Sequence, residues 1–238
     1  MTADLHALTF AAHDPTGLAR FWGGLLGWEQ STDRGGSVAI TPPTGAGCAL
    51  RFVPSDLPKT RPNQIHLDLT SESPEAQLAT VERALRLGGR PLDIGQGPEE
   101  EHVVMADPEG NELCVIEAGN RFLADCGTIG AINCDGSQAV GYFWSKALDW
   151  PLVWDQDEET AIQSPRGGSK IAWGGPPFAA KTGPARLHLD LVANGDLSVE
   201  VDRLLSLGAR PAGVAPCAAE WVPLEDPDGN EFCVSPTA

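Results

Sequence analysis

Two copies of a His-x-Asp pattern carry most of the chemistry this chain can offer. One is His66-Leu67-Asp68 within IHLDLT, the other His188-Leu189-Asp190 within LHLDLV. Alternate residues of an extended strand share a face, so each imidazole stands beside its carboxylate while the leucines face the other way. Such a pair can orient the ring or act as a general base. It can equally be a structural bond to a neighbouring strand, since burying an acid requires a partner. Cys114 and Cys233 sit in matching runs, ELCV and EFCV. A nucleophilic thiol needs a lowered pKa and a nearby base. The flanking Leu113, Val115, Phe232 and Val234 point instead to inert thiols. His102 and Trp221 each precede a hairpin by one strand, where a side chain can reach a pocket; Trp221 can stack on a planar ligand or simply pack. A glycine-rich phosphate loop and a nucleophile elbow are both absent from the sequence.

The elements that must position these groups occur twice. Asp107-Pro108-Glu109-Gly110-Asn111 returns as Asp226-Pro227-Asp228-Gly229-Asn230, each between apolar runs. The aspartate can accept from the backbone ahead of it, proline presets φ, and glycine goes where a Cβ would clash. The first strand, Leu5 to Ala12, carries His6. Asp14-Pro15 caps a helix whose Leu18, Phe21, Trp22, Leu25 and Leu26 form one apolar face, closing near Gly27. Strands follow around 37–41 and 48–53. After the strand Ile65–Leu69, Ser73-Pro74 opens a second helix with Leu78, Val81 and Leu85 as its core stripe. Phe143-Trp144 answers Phe21-Trp22, and Leu197, Val201, Leu204 and Leu205 rebuild the second helix, ending at Gly208. An offset of 122 residues separates His66 from His188 and Phe21 from Phe143; 119 separates the two turn aspartates. Near-constant offsets mean duplication. The chain is therefore read as α+β, four βαβββ units in two halves, 1–119 and 125–238.

Composition narrows the function. The 238 residues carry a formal charge of −17, with 33 acidic against 16 basic residues. That balance excludes a nucleic-acid partner, which needs a Lys/Arg surface, and argues against an anionic membrane. No export signal and no run of about twenty apolar residues is present. The six cysteines lack a Cys-x-x-Cys pair, so a cytoplasmic protein with reduced thiols is expected.

The tandem DPEGNELCV and DPDGNEFCV hairpins, the His-Leu-Asp-Leu strands and the Phe-Trp helices resemble the vicinal oxygen chelate superfamily. That group includes glyoxalase I, extradiol dioxygenases and bleomycin-resistance proteins. The resemblance covers nearly the whole chain and implies two glyoxalase-like half-barrel domains whose concave faces bind a small organic molecule. A chain so fused would act as a monomer, an internal pseudo-dimer, or as a weak homodimer. In the metal-dependent relatives, ligands come from the first strand of each half, from the opening strand of its second unit and from a glutamate after the hairpin. Carried over, those positions are His6, His66 and Cys114 in one half, and Thr128, His188 and Cys233 in the other. Cysteine in place of glutamate departs from the pattern: a thiolate prefers Zn²⁺ or Cu⁺ over Fe²⁺, Mn²⁺ or Ni²⁺. The resemblance thus implies a binding protein without the usual His/Glu centre. Its alternative is a metal-dependent lyase, isomerase or dioxygenase using a divalent metal (Zn, Fe, Ni or Mn). Pairing across the halves would instead group His6, His188 and Cys233, leaving Thr128, His66 and Cys114. Arg51 and Trp173 occupy a further position used for ligand contacts, where Arg51 can clamp a carboxylate or be an ordinary surface arginine. Glu112 and Glu231, with the parity of the cysteines, can stand in for the missing acid.

Overall fold

A computed structural model describes residues 2–237 except 33, 44–46, 98, 179–180, 182, 214–216 and 219. The first unit runs β1 (Asp4–Ala12), α1 (Pro15–Leu26), β2 (Glu29–Thr32), β3 (Val38–Thr41) and β4 (Ala49–Pro54). The second is β5 (Ile65–Leu69), α2 (Pro74–Arg86), β6 (Arg90–Pro91), β7 (Val103–Ala106) and β8 (Glu112–Val115). The third holds β9 (Ile129–Cys134), α3 (Gln138–Leu148), β10 (Leu152–Gln156), β11 (Glu159–Gln163) and β12 (Lys170–Trp173). The fourth holds β13 (Leu187–Val192), α4 (Leu197–Leu207), β14 (Arg210–Pro211), β15 (Val222–Glu225) and β16 (Glu231–Ser235). Four βαβββ units make an α+β protein.

Local signals end the helices where the sequence places them. The Asp14 carboxylate accepts from the Gly17 amide at 2.9 Å, with Pro15 in the first turn, and Gly27 closes α1 in the left-handed region at φ 71°. Ser73 caps α2 and Asp196 caps α4 in the same way. The stripe expected on α2 is corrected. Leu78 and Leu85 are 60% and 44% exposed, and only Ala84 is fully buried. The helix lies at the periphery, and Gln77 on its inner face donates to the Val115 carbonyl.

The sheets pair across the halves. Sheet A has the order β14-β15-β16-β13-β1-β4-β3-β2, joining the first unit to the fourth. Sheet B, β10-β11-β12-β9-β5-β8-β7-β6, joins the third to the second. At each junction the strands run antiparallel, β1 to β13 and β5 to β9. The sequence halves are thus not the units of sheet pairing. Alternation gives each sheet a helix-facing side, where one continuous core contains Phe10, Trp22, Phe52, Trp144, Trp173 and Phe232. The other side is concave and carries the polar residues. Among the described residues no helix is long and apolar enough to cross a membrane.

Candidate functional site

Register decides which side chains meet. In sheet A, Thr9 stands opposite His188 and beside Arg51, and Asp190 stands beside Cys233. These five residues therefore share the concave face. The Thr9 hydroxyl donates to Asp190 Oδ2 at 2.5 Å, and Arg51 Nη1 lies 3.8 Å from the same oxygen. The Arg51 guanidinium sits 5.0 Å from the centre of the Trp221 ring, a cation–π contact. His188 and Asp190 are 1% and 0% exposed. This floor is closed by the protein's own groups.

His6 stays outside that cluster. It occupies the irregularity between Leu5 and Ala7, is exposed, and sets its ring edge-on to Trp221 at 6.4 Å. The bulge turns the first-strand histidine away and leaves Thr9 facing Asp190. Cys233 forms a disulfide with Cys217, so the expectation of six reduced thiols is corrected for this pair. With its sulfur so bonded, Cys233 is no metal ligand in this state. Two cysteines 16 residues apart gave no motif to read; Cys217 precedes β15, and β15 pairs with β16, the strand that carries Cys233.

Sheet B carries the duplicate. His66 faces Asn133 and Asp68 faces Ala131 across the junction, with Cys114 beside Asp68. The Asn133 amide donates to Asp68 Oδ2 at 2.5 Å, and His66 Nε2 lies 3.6 Å from Asp68 Oδ1. Burial raises the Asp68 carboxyl above its ordinary range, opposed by His66, Asn133, the Cys114 thiol and His102. Burial and the Asp68 carboxylate together drive the Cys114 thiol upward, so it holds its proton. His102 takes part through that electrostatic contact; its ring nitrogen also meets Gln96 Nε2 at 3.1 Å. Val104, Cys114, Ala131 and Leu123, with Phe122 against them, make an apolar floor beside these polar groups. The His66 side chain is 39% exposed, so this face opens to solvent.

Other expected residues fall elsewhere. Trp173 lies on the helix side, stacked on Trp144 at 6.3 Å, which corrects its placement as a ligand contact. Register assigns the Arg51 position in sheet B to Ala172, because Asn133, opposite His66 as Thr9 is opposite His188, pairs with Ala172. Lys170 lies two residues away on the same face, beside Ala131. Lys170 is turned inward to the Phe122 carbonyl and ring. Glu112 and Glu231 do not replace the missing acid. Glu112 binds Lys59 Nζ at 2.6 Å and the Asn63 amide, and Glu231 accepts from the Ala185 amide, so both anchor inter-unit segments. The Thr128 carbonyl accepts from the Thr70 amide and hydroxyl. Sequence reasoning missed Thr9, Asn133 and Lys170; alternation along β1, β9 and β12 was the available signal, but only pairing registers it.

Two curled sheets built from four βαβββ units, each with a His-x-Asp strand beside a hairpin-borne cysteine, define a glyoxalase-type protein. The glyoxalase-like domain family profile matches residues 7–116 and again 130–235, and the chain belongs to that family. Glyoxalase I from Zea mays is similar over 98% of this chain and 92% of its own, at 11% identity and a TM-score of 0.66. A putative dioxygenase from Bacillus subtilis is similar over 99% of this chain and 85% of its own, at 15% identity and a TM-score of 0.64. At these identities the likeness is one of fold. Comparison with curated proteins returned no match.

Proposed function

We propose that the protein binds a small organic molecule on the concave face of sheet B, without the His/Glu metal centre usual in the superfamily. The observation that carries this reading is the contrast between two duplicated clusters. His66 is part-exposed and Asp68 reaches solvent beside it, above buried Cys114 and an apolar floor, whereas His188, Asp190 and Cys233 are all closed off. Apolar lining with a few convergent polar groups is what small-molecule sites generally present. His66 and His102 supply ring nitrogens at the mouth, Asp68 an acceptor, and Asn133 holds that acceptor in place.

The test is ligand-observed NMR on the full chain with a panel of bleomycin-type glycopeptides, catechols and methylglyoxal–thiol adducts. Binding is expected to weaken at least about tenfold in His66→Ala and to survive in Cys217→Ser. Stoichiometric Zn²⁺, Fe²⁺ or Ni²⁺ in the purified protein, lost in His66→Ala, would overturn the metal-free reading.

A second reading is favoured by one distance. A ring nitrogen of His66, a carboxylate oxygen of Asp68 and the sulfur of Cys114 all lie within 4.8 Å of one another. One N, one O and one S donor suit Zn²⁺ with an open position better than an oxygen-preferring ion. Bound there, a metal would supply a Lewis acid for vicinal oxygens of a substrate, as a lyase or dioxygenase requires. Asn133 would keep Asp68 oriented, and Cys114 would lose its proton to solvent. Activity removed by chelator and restored by one divalent metal is the result that selects this alternative.

A further inference from the structure

We propose that the floor of sheet A is a thiol-controlled zinc site. Cys217, Cys233, His188 and Asp190 would hold one Zn²⁺ only after the Cys217–Cys233 disulfide is reduced. The site lies on the other concave face and stands apart from the ligand site proposed for sheet B.

Three observations converge on it. His188 Nε2 and Asp190 Oδ1 lie 3.2 Å apart, yet among the described residues Asp190 Oδ1 makes no hydrogen bond, and His188 Nδ1 is likewise buried without a partner there. A buried polar atom left unpaired is costly. At zinc–ligand distances of about 2.0–2.1 Å, a tetrahedral centre holds its nitrogen and oxygen donors about 3.3 Å apart. The separation found here matches. Second, donor atoms of His188, Asp190 and Cys233 all lie within 4.8 Å of one another, and Cys217, bonded to Cys233, brings a fourth donor to the same place. Two sulfurs, one imidazole and one carboxylate complete a tetrahedral set. Third, Asp190 is already aimed. Thr9 binds its Oδ2 at 2.5 Å and Arg51 flanks the same oxygen, which leaves Oδ1 for the ion. The Arg51 guanidinium also offsets the single negative charge that Zn²⁺, two thiolates and a carboxylate leave over.

The disulfide and the metal exclude each other. A dithiol reductant delivers two electrons and two protons, breaking the S–S bond and becoming a disulfide itself. Zinc then displaces both thiol protons to solvent as two Zn–S bonds form. The sulfurs must part to about 3.8 Å for this; Cα atoms 6.0 Å apart accommodate that spacing. In the reverse direction a disulfide oxidant accepts two electrons, the S–S bond re-forms and the ion leaves. The matching segment of the first half, residues 92–101, contains no cysteine, so sheet B has no such control.

The experiment uses the full chain in a His66→Ala background, which removes metal uptake at sheet B. Protein is prepared oxidised or dithiol-reduced, freed of reagent without air, and dialysed against Zn²⁺ or Co²⁺. One additional equivalent of Zn²⁺ is expected in the reduced form only, released on adding oxidised glutathione. With Co²⁺ the reduced form is expected to show sulfur-to-metal charge transfer and the intense visible bands of a tetrahedral centre. Cys217→Ser, at a loop position, is expected to weaken uptake at least about tenfold. Equal metal content in both redox states, or Co²⁺ uptake lacking thiolate bands, overturns the proposal.

Discussion

The indole of Trp22 donates to Asp107 Oδ2 at 3.1 Å, and Trp144 repeats the bond to Asp226 Oδ2 at 3.1 Å. Each bond ties a helix packed on one sheet to the hairpin turn of the other. The turn carboxylate also accepts from the amides of Glu109 and Asn111 and from the Asn111 side chain, so all four donors around Asp107 are engaged. Trp22→Phe keeps most of the buried apolar area and removes one donor to a buried acid. A loss of about 1–3 kcal/mol is expected in urea unfolding, with a similar loss for Trp144→Phe. Unchanged midpoints in both variants would show that these bonds do not hold the sheets together.

Arg51 places its charge beside fully buried Asp190 and its guanidinium plane near Trp221. Arg51→Met should destabilise the protein by about 3 kcal/mol, because the acid loses its counter-charge. Adding Asp190→Asn should recover part of that loss, and calorimetry of the single and double variants measures it. No recovery would mean that packing against Trp221, rather than charge, sets the effect.

Asp68 gives a pH dependence of defined sign. Its folded-state carboxyl lies above the ordinary value, so its contribution is full below the usual carboxylate range of about 3.9. That contribution is lost as pH rises through the raised value. Relative to Asp68→Asn, the wild-type melting temperature should therefore fall as pH is increased from about 4 towards neutrality. A gap that stays constant, or widens in the opposite sense, contradicts the assignment.

Thiol reactivity should rank by burial. Burial pushes the Cys48 thiol up to about 12 and raises Cys134 and Cys114 as well. Cys126 is only partly buried. Iodoacetamide applied to the folded, oxidised protein at pH 8 should label Cys126 first and leave the other three free thiols largely intact, as read by peptide mass spectrometry. Early labelling of Cys114 would contradict its protonated, enclosed state.

The exposed stripe of α2 predicts tolerance. Leu78→Glu should change stability by less than about 0.5 kcal/mol in chemical unfolding, as expected of a surface position. A core residue would lose several times that.

By itself the sequence determined the units and their repetition. Caps at Asp14 and Ser73, alternation through Ile65–Leu69 and the duplicated hairpins are short-range signals, fixed by backbone sterics and by hydrogen bonds a few residues long. They also placed His66 and Asp68 on one face, to which β5–β8 pairing then adds Cys114. Tertiary structure alone decided the rest, because it depends on contacts between residues of different elements, up to 181 positions apart. Pairing of β1 with β13 brought Thr9 and Arg51 to Asp190, and pairing of β5 with β9 brought Asn133 to Asp68. A one-residue irregularity turned His6 outward, and Cys217 ahead of β15 bonded Cys233 on β16. Each outcome is a choice of register or route that leaves local propensity unchanged, so the linear pattern holds no record of it.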